Sequence, residues 1–167
     1  MRDCAGGRYI RRMTEPGSRP PKAATTESAH LLGGSPAQRA AFKEYSQAFS
    51  NADIERFSRY YNDDVVCELA AYTLNGKQGI VDFYREMFKT VRESLTLNRL
   101  IADDDGIAAD ISTQFTALED APTFSVAPLK QGECIRGRLF VHYTLRGGKI
   151  SRIKVARASP MSAPLPA

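Results

Sequence analysis

The sequence predicts an α+β domain, on three observations. Apolar residues at helical spacing dominate residues 36–91, strand-like alternation fills residues 94–157, and Gly- or Asp-rich turns punctuate that second stretch. A chain of 167 residues buries one core of useful size without disulfides or a structural metal, so one domain is expected.

Residues 1–34 are rich in Gly, Pro, Arg, Ser and Thr and show no hydrophobic period, which predicts a disordered leader. The first helix starts at Ser35-Pro36-Ala37-Gln38, where serine can cap, proline occupies the first turn and glutamine closes a capping box. Phe42, Tyr45 and Phe49 follow on one face. Asp53 caps a second helix carrying Ile54, Phe57 and Tyr61, ended by Asn62-Asp63-Asp64. Val65 to Ala70 reads as a strand and Asn75-Gly76 as a turn. Ile80, Tyr84, Met87, Phe88 and Val91 form the stripe of a third helix. Strands are expected at 94–102, 107–119, 133–145 and 149–157, separated by Asp105-Gly106, a loop around Pro122 and Pro128, and Gly147-Gly148. The domain proper is thus expected over 35–158, and residues 159–167, with three prolines, as a loose C-terminal tail.

The net charge of +4 belongs mostly to the leader, where six Lys/Arg face three Asp/Glu, leaving seventeen against sixteen in the rest. That balance gives no reason to expect nucleic-acid binding. No apolar run is long enough to span a membrane, so no membrane partner is expected. Cys4, Cys67 and Cys134 form no C-x-x-C pair, which fits a reducing, cytoplasmic setting and a core role for Cys67. Asp103-Asp104-Asp105-Gly106 lacks calcium-loop spacing and reads as a hairpin turn. Without a P-loop, a G-x-G-x-x-G fingerprint or a metal-ligand cluster, no cofactor and no metal are expected.

Three stretches, EYSQAFSNADIERFSRYYNDDVV, NGKQGIVDFYREMF and VHYTLRGGKISRIKV, together resemble the nuclear transport factor 2-like superfamily, in particular its SnoaL-like domains. The resemblance runs over residues 36–157. It implies a cone, with a curved antiparallel sheet packed on three N-terminal helices around an apolar pocket, and a homodimer formed through the sheet. Relatives in that superfamily include polyketide cyclases, ketosteroid isomerase, limonene epoxide hydrolase and scytalone dehydratase. Tyr45 falls where the isomerase has its tyrosine. The isomerase base aligns with Leu69, one residue after Glu68, its second aspartate aligns with Val141, and the epoxide hydrolase aspartate aligns with Val155. The dehydratase needs a histidine pair, whereas the domain holds only His142.

The implied function is binding of a small apolar, carbonyl-bearing molecule without a cofactor. If the pocket is catalytic, the reaction is isomerisation, cyclisation or dehydration by acid/base chemistry of Tyr45 and Glu68. Leu69, Val141, Tyr143, Val155 and Arg157 would contact the substrate. The alternative is a non-catalytic ligand-binding or dimeric assembly domain. Alternation sends Leu139, Val141 and Tyr143 to the pocket face and Arg136, Arg138, Phe140 and His142 outward. Two orientations of Glu68 stand: turned inward it is a desolvated base, and outward, which its alternation with Cys67 and Leu69 favours, it is a solvated charge.

Overall fold

The computed structural model describes residues 31–167. The leader expected over 1–34 therefore lies mainly outside the described residues. Its last four residues correct the boundary, because Leu32 is buried in the core and its N–H donates to the Gly148 carbonyl at 2.7 Å. The folded unit begins ahead of Ser35.

Helix α1 spans Pro36–Ser50, with Ser35 as N-cap and the full capping box to Gln38. Its buried face carries Phe42, Tyr45 and Phe49. Helix α2, Ile54–Ser58, is a single capped turn. Asp53 accepts from the Arg56 N–H at 3.0 Å. Tyr61 does not belong to this helix, and Asn62-Asp63-Asp64 does not end the element: they lie within strand β1, Tyr61–Glu68, at an irregularity where its pairing with the strand Lys149–Arg157 shifts register between Tyr61 and Val66. Asn62 Nδ2 donates to the carbonyls of Arg146 and Lys149, at 3.2 and 3.1 Å, and Asp64 pairs with Arg146. Those polar side chains, read as a turn signal, are satisfied by a neighbouring hairpin distant in sequence.

Strand β2, Thr73–Asn75, precedes helix α3, Gly76–Thr90, and α3 passes without a loop into β3, Val91–Ala102. Strands β4 (Gly106–Ala117), β5 (Glu133–Arg146) and β6 (Lys149–Arg157) complete the main sheet. Gly147 and Gly148 turn β5 into β6 with φ of 62° and 73°, the left-handed pair that a tight hairpin requires.

The sheet order is β2-β1-β6-β5-β4-β3. The sheet is curved and unclosed, as the cone requires, but it is mixed rather than antiparallel, because β1 lies parallel to β6. The chain leaves β1, forms β2, α3 and three strands, and returns beside β1 in the same direction. The expected loose tail is a second correction. A final strand, β7 (Leu165–Pro166), pairs with Glu133 and Cys134 of β5.

Helices α1 and α3 pack against the concave face, where Phe42, Phe49, Phe57 and Tyr84 meet Ile107, Ile111, Val141 and Tyr143 in one core. A smaller cluster of Val91, Ala117, Ala121, Leu129 and Ile135 sits under the loop joining β4 to β5. On the convex face Arg138 grips Asp110, which holds that carboxyl down at about 2. His142 is exposed there, as alternation requires. None of the described helices is long and apolar enough to cross a membrane.

Candidate functional site

Between the helices and the concave face lies a cavity of about 140 Å³ with predominantly apolar walls. Its inner face follows from strand register. Inward residues fall in rows across the sheet: Glu93 beside Phe115, Leu95 beside Thr113 and Gly137, then Leu97, Ile111, Leu139 and Arg157. The next row holds Ala109, Val141 and Val155.

Six of the seven residues singled out from the sequence line this cavity: Tyr45, Leu69, Val141, Tyr143, Val155 and Arg157. Tyr45 is 3% exposed, and its hydroxyl lies 3.0 Å from that of Tyr61, with Tyr143 edge-on at a ring separation of 6.0 Å. Burial pushes the phenols of Tyr45, Tyr61, Tyr84 and Tyr143 well above their ordinary range. They are neutral hydrogen-bond donors at physiological pH. Arg157 sits at an exposed stretch of the rim.

Glu68 is the exception. Its carboxylate is outside the cavity, paired with Arg152 and, at 3.8 Å, with Lys154, both on the neighbouring strand β6. The outward orientation that Cys67 and Leu69 favoured is the one adopted. Cys67 itself lines the cavity, and burial pushes its thiol up to about 12, so it is an inert, protonated wall residue.

The carboxyl that enters the cavity is Glu93. It is 7% exposed and accepts a hydrogen bond from Thr113 Oγ1 at 3.0 Å. Burial raises its pKa to about 7, against a smaller lowering by the Thr113 hydroxyl. Its charge contributes, after burial, to raising the Tyr84 and Tyr143 phenols, so these groups sense one another across the site. The sequence carries a signal for it: in VRESLTL, Val91, Glu93, Leu95 and Leu97 alternate on one face, placing a carboxylate in an apolar register. A strand begun at residue 94 leaves Glu93 out, and only the missing loop between α3 and β3 brings it in.

A carboxyl poised near neutrality, in a cavity of low polarity lined by neutral phenols, can take a proton from a bound molecule and return it. The phenols can donate to an oxygen that gains charge meanwhile. Among the described residues no group of three His, Cys, Asp or Glu side chains is arranged to hold a metal ion.

The family model described as "SnoaL-like domain" matches residues 42–153. Among curated proteins none matches the chain. Solved structures do. A protein from Silicibacter sp. named as a polyketide cyclase is 20% identical, with a TM-score of 0.62, covering 71% of this chain and 87% of its own. One of the same name from Xanthomonas campestris pv. campestris is 18% identical, with a TM-score of 0.61 over 70% and 87%. An epoxide hydrolase from M. tuberculosis is 14% identical, with a TM-score of 0.58 over 71% and 80%. At such identities the likeness is one of fold.

Proposed function

Because the chain belongs to the SnoaL-like domain family, we propose that it binds a small, largely apolar, carbonyl-bearing molecule and moves a proton on it, with Glu93 as the acid/base group. The observation that carries this reading is the Glu93 carboxyl, buried in the cavity wall and raised to about 7. Glu93 takes the role that the sequence offered to Glu68, and Tyr45 keeps its own. In the carboxylate form Glu93 removes a proton from the carbon beside the carbonyl, and the electrons of that C–H bond become the enolate. The carbonyl oxygen takes up the charge and accepts a hydrogen bond from the Tyr45 or Tyr143 hydroxyl. Returning the proton to another carbon gives an isomer, and expelling a β-hydroxyl group that takes up a proton gives dehydration.

Deuterium uptake from D2O into 2-cyclohexen-1-one and related cyclic ketones, followed by NMR, tests this reading. Wild type should catalyse the exchange, Glu93→Gln should lower it by about 10²–10⁴-fold, and Tyr45→Phe should lower it less. Exchange that survives Glu93→Gln would remove Glu93 from the chemistry. The second reading, binding without turnover, is favoured by the apolar side chains at Leu69, Val141 and Val155.

The family likeness also supports a homodimer formed through the convex sheet face, where Phe140 and Ile101 are 54% and 59% exposed. Native mass spectrometry should find two chains in wild type and one in Phe140→Asp. A monomeric wild type at micromolar concentration would rule the dimer out.

A further inference from the structure

We propose that the C-terminal segment forms a wall of the pocket and that Met161, seated on Gly137, restricts the ligand to the size of a single ring. This inference rests on the pocket reading above and adds the substrate class, a monocyclic ketone of low polarity.

The wall is built by hydrogen bonds. Strand β6 ends against Leu139 of β5, and the chain beyond it continues along the same edge. The Ala158 N–H donates to the Arg138 carbonyl and the Ser162 N–H to the Arg136 carbonyl, both at 2.8 Å. The Arg136 N–H returns a bond to Ser162 Oγ at 3.0 Å, and the Ala167 N–H closes on the Gly132 carbonyl at 2.9 Å. With β7 paired to Glu133 and Cys134, the segment is fixed on both sides of Met161.

Met161 then turns inward and lines the cavity. Gly137 makes room for it. A Cβ built on Gly137 would lie 2.2 Å from the Met161 sulfur and 2.7 Å from its methyl carbon, closer than any packed contact. The backbone of Gly137 does not adopt the left-handed region, so space is the reason for glycine here. Gly137 lies opposite Thr113, which holds Glu93, so the thioether closes the cavity on the side of its acid/base group. Phe115 and Phe124, rings 5.3 Å apart, complete that side.

The volume agrees with that size. An apolar cavity of about 150 Å³ holds one benzene-sized molecule, and this one measures about 140 Å³. The family match stops at residue 153, so Arg157 and Met161 reach the cavity from outside the matched region.

The test is a ladder of ketones measured by isothermal titration calorimetry: 2-cyclohexen-1-one, 1-tetralone and a four-ring 3-ketosteroid. In an open groove the larger ketones bind more tightly, because they bury more apolar surface. Wild type should instead prefer the single ring to the two-ring ketone by about tenfold, the scale of an overpacking penalty. Met161→Ala should erase that preference, as should a chain ending at Ser159. Met161→Ala decides alone if the shortened chain does not fold. A wild-type ladder that rises with ring number, or one that Met161→Ala leaves unchanged, overturns the size limit. A ladder that behaves as expected without deuterium uptake supports the wall and overturns the proton transfer. Deuterium uptake with a rising ladder does the reverse, and binding of none of the three overturns both.

Discussion

Replacing Glu93 with glutamine should stabilise the protein at pH 8 by on the order of 3 kcal/mol and leave its stability near pH 4 unchanged. The sign follows from the proton balance. The folded state holds the Glu93 proton up to about 7, whereas the ordinary value is 4.5. Between those values the native state binds more protons than the unfolded one, so stability falls as pH rises through the window. Below the window both states are protonated and the residue costs nothing extra. Above it the native state carries a charge in a cavity wall with one hydroxyl partner, Thr113. Glutamine keeps the shape and an acceptor for Thr113 while removing the charge. Thermal unfolding of both proteins from pH 4 to 8 measures the effect, and at pH 8 the gap should be roughly 10 °C for a chain of this size. Parallel curves for the two proteins would mean that Glu93 is not desolvated. A stability gain from removing a pocket carboxyl is also what a group retained for chemistry should give.

The second large effect is expected at Phe57. Phe57→Ala should cost about 3–5 kcal/mol, read as a lower urea midpoint with an unchanged slope. Phe57 is fully buried, with ring centroids 5.2 Å from Phe49, 6.0 Å from Tyr61 and 6.1 Å from Tyr84. Helix α2 has five residues, too few to persist by its own hydrogen bonds. Phe57 is the one large side chain it buries completely, so its removal opens a void and releases the turn that leads into β1. A loss below about 1 kcal/mol would show that the helices close over the gap.

Much of this arrangement was legible in the residues, because it rests on local chemistry. The Ser35 to Gln38 capping box, the Asp53 cap, the Gly147-Gly148 hairpin and the alternation along β5 each carry their own physical signature. What escaped was set by distant partners. Asn62 and Asp64 look like a break until the β5–β6 hairpin supplies their hydrogen-bond and ionic partners. The C-terminal prolines look loose until the vacant edge of β5 appears beside them. Glu68 and Glu93 show the same division within the site. Alternation favoured the outward side for Glu68, but the pairing of β1 with β6 supplies the Arg152 and Lys154 that hold it there. Glu93 required knowing that a helix ends and a strand begins with no residue between them.

The parallel pairing of β1 with β6 bears on the order of assembly. Glu68 and its partner Arg152 are 84 residues apart, and the other neighbour of β1 is the three-residue β2. A chain emerging from the ribosome can form its α-helices and the β3–β4 ribbon early, but the edge of β1 that faces β6 stays unpaired until β6 has been synthesised. Strand β1 is sealed only after β6 has emerged, and the apolar surface facing the pocket stays accessible to other chains until then.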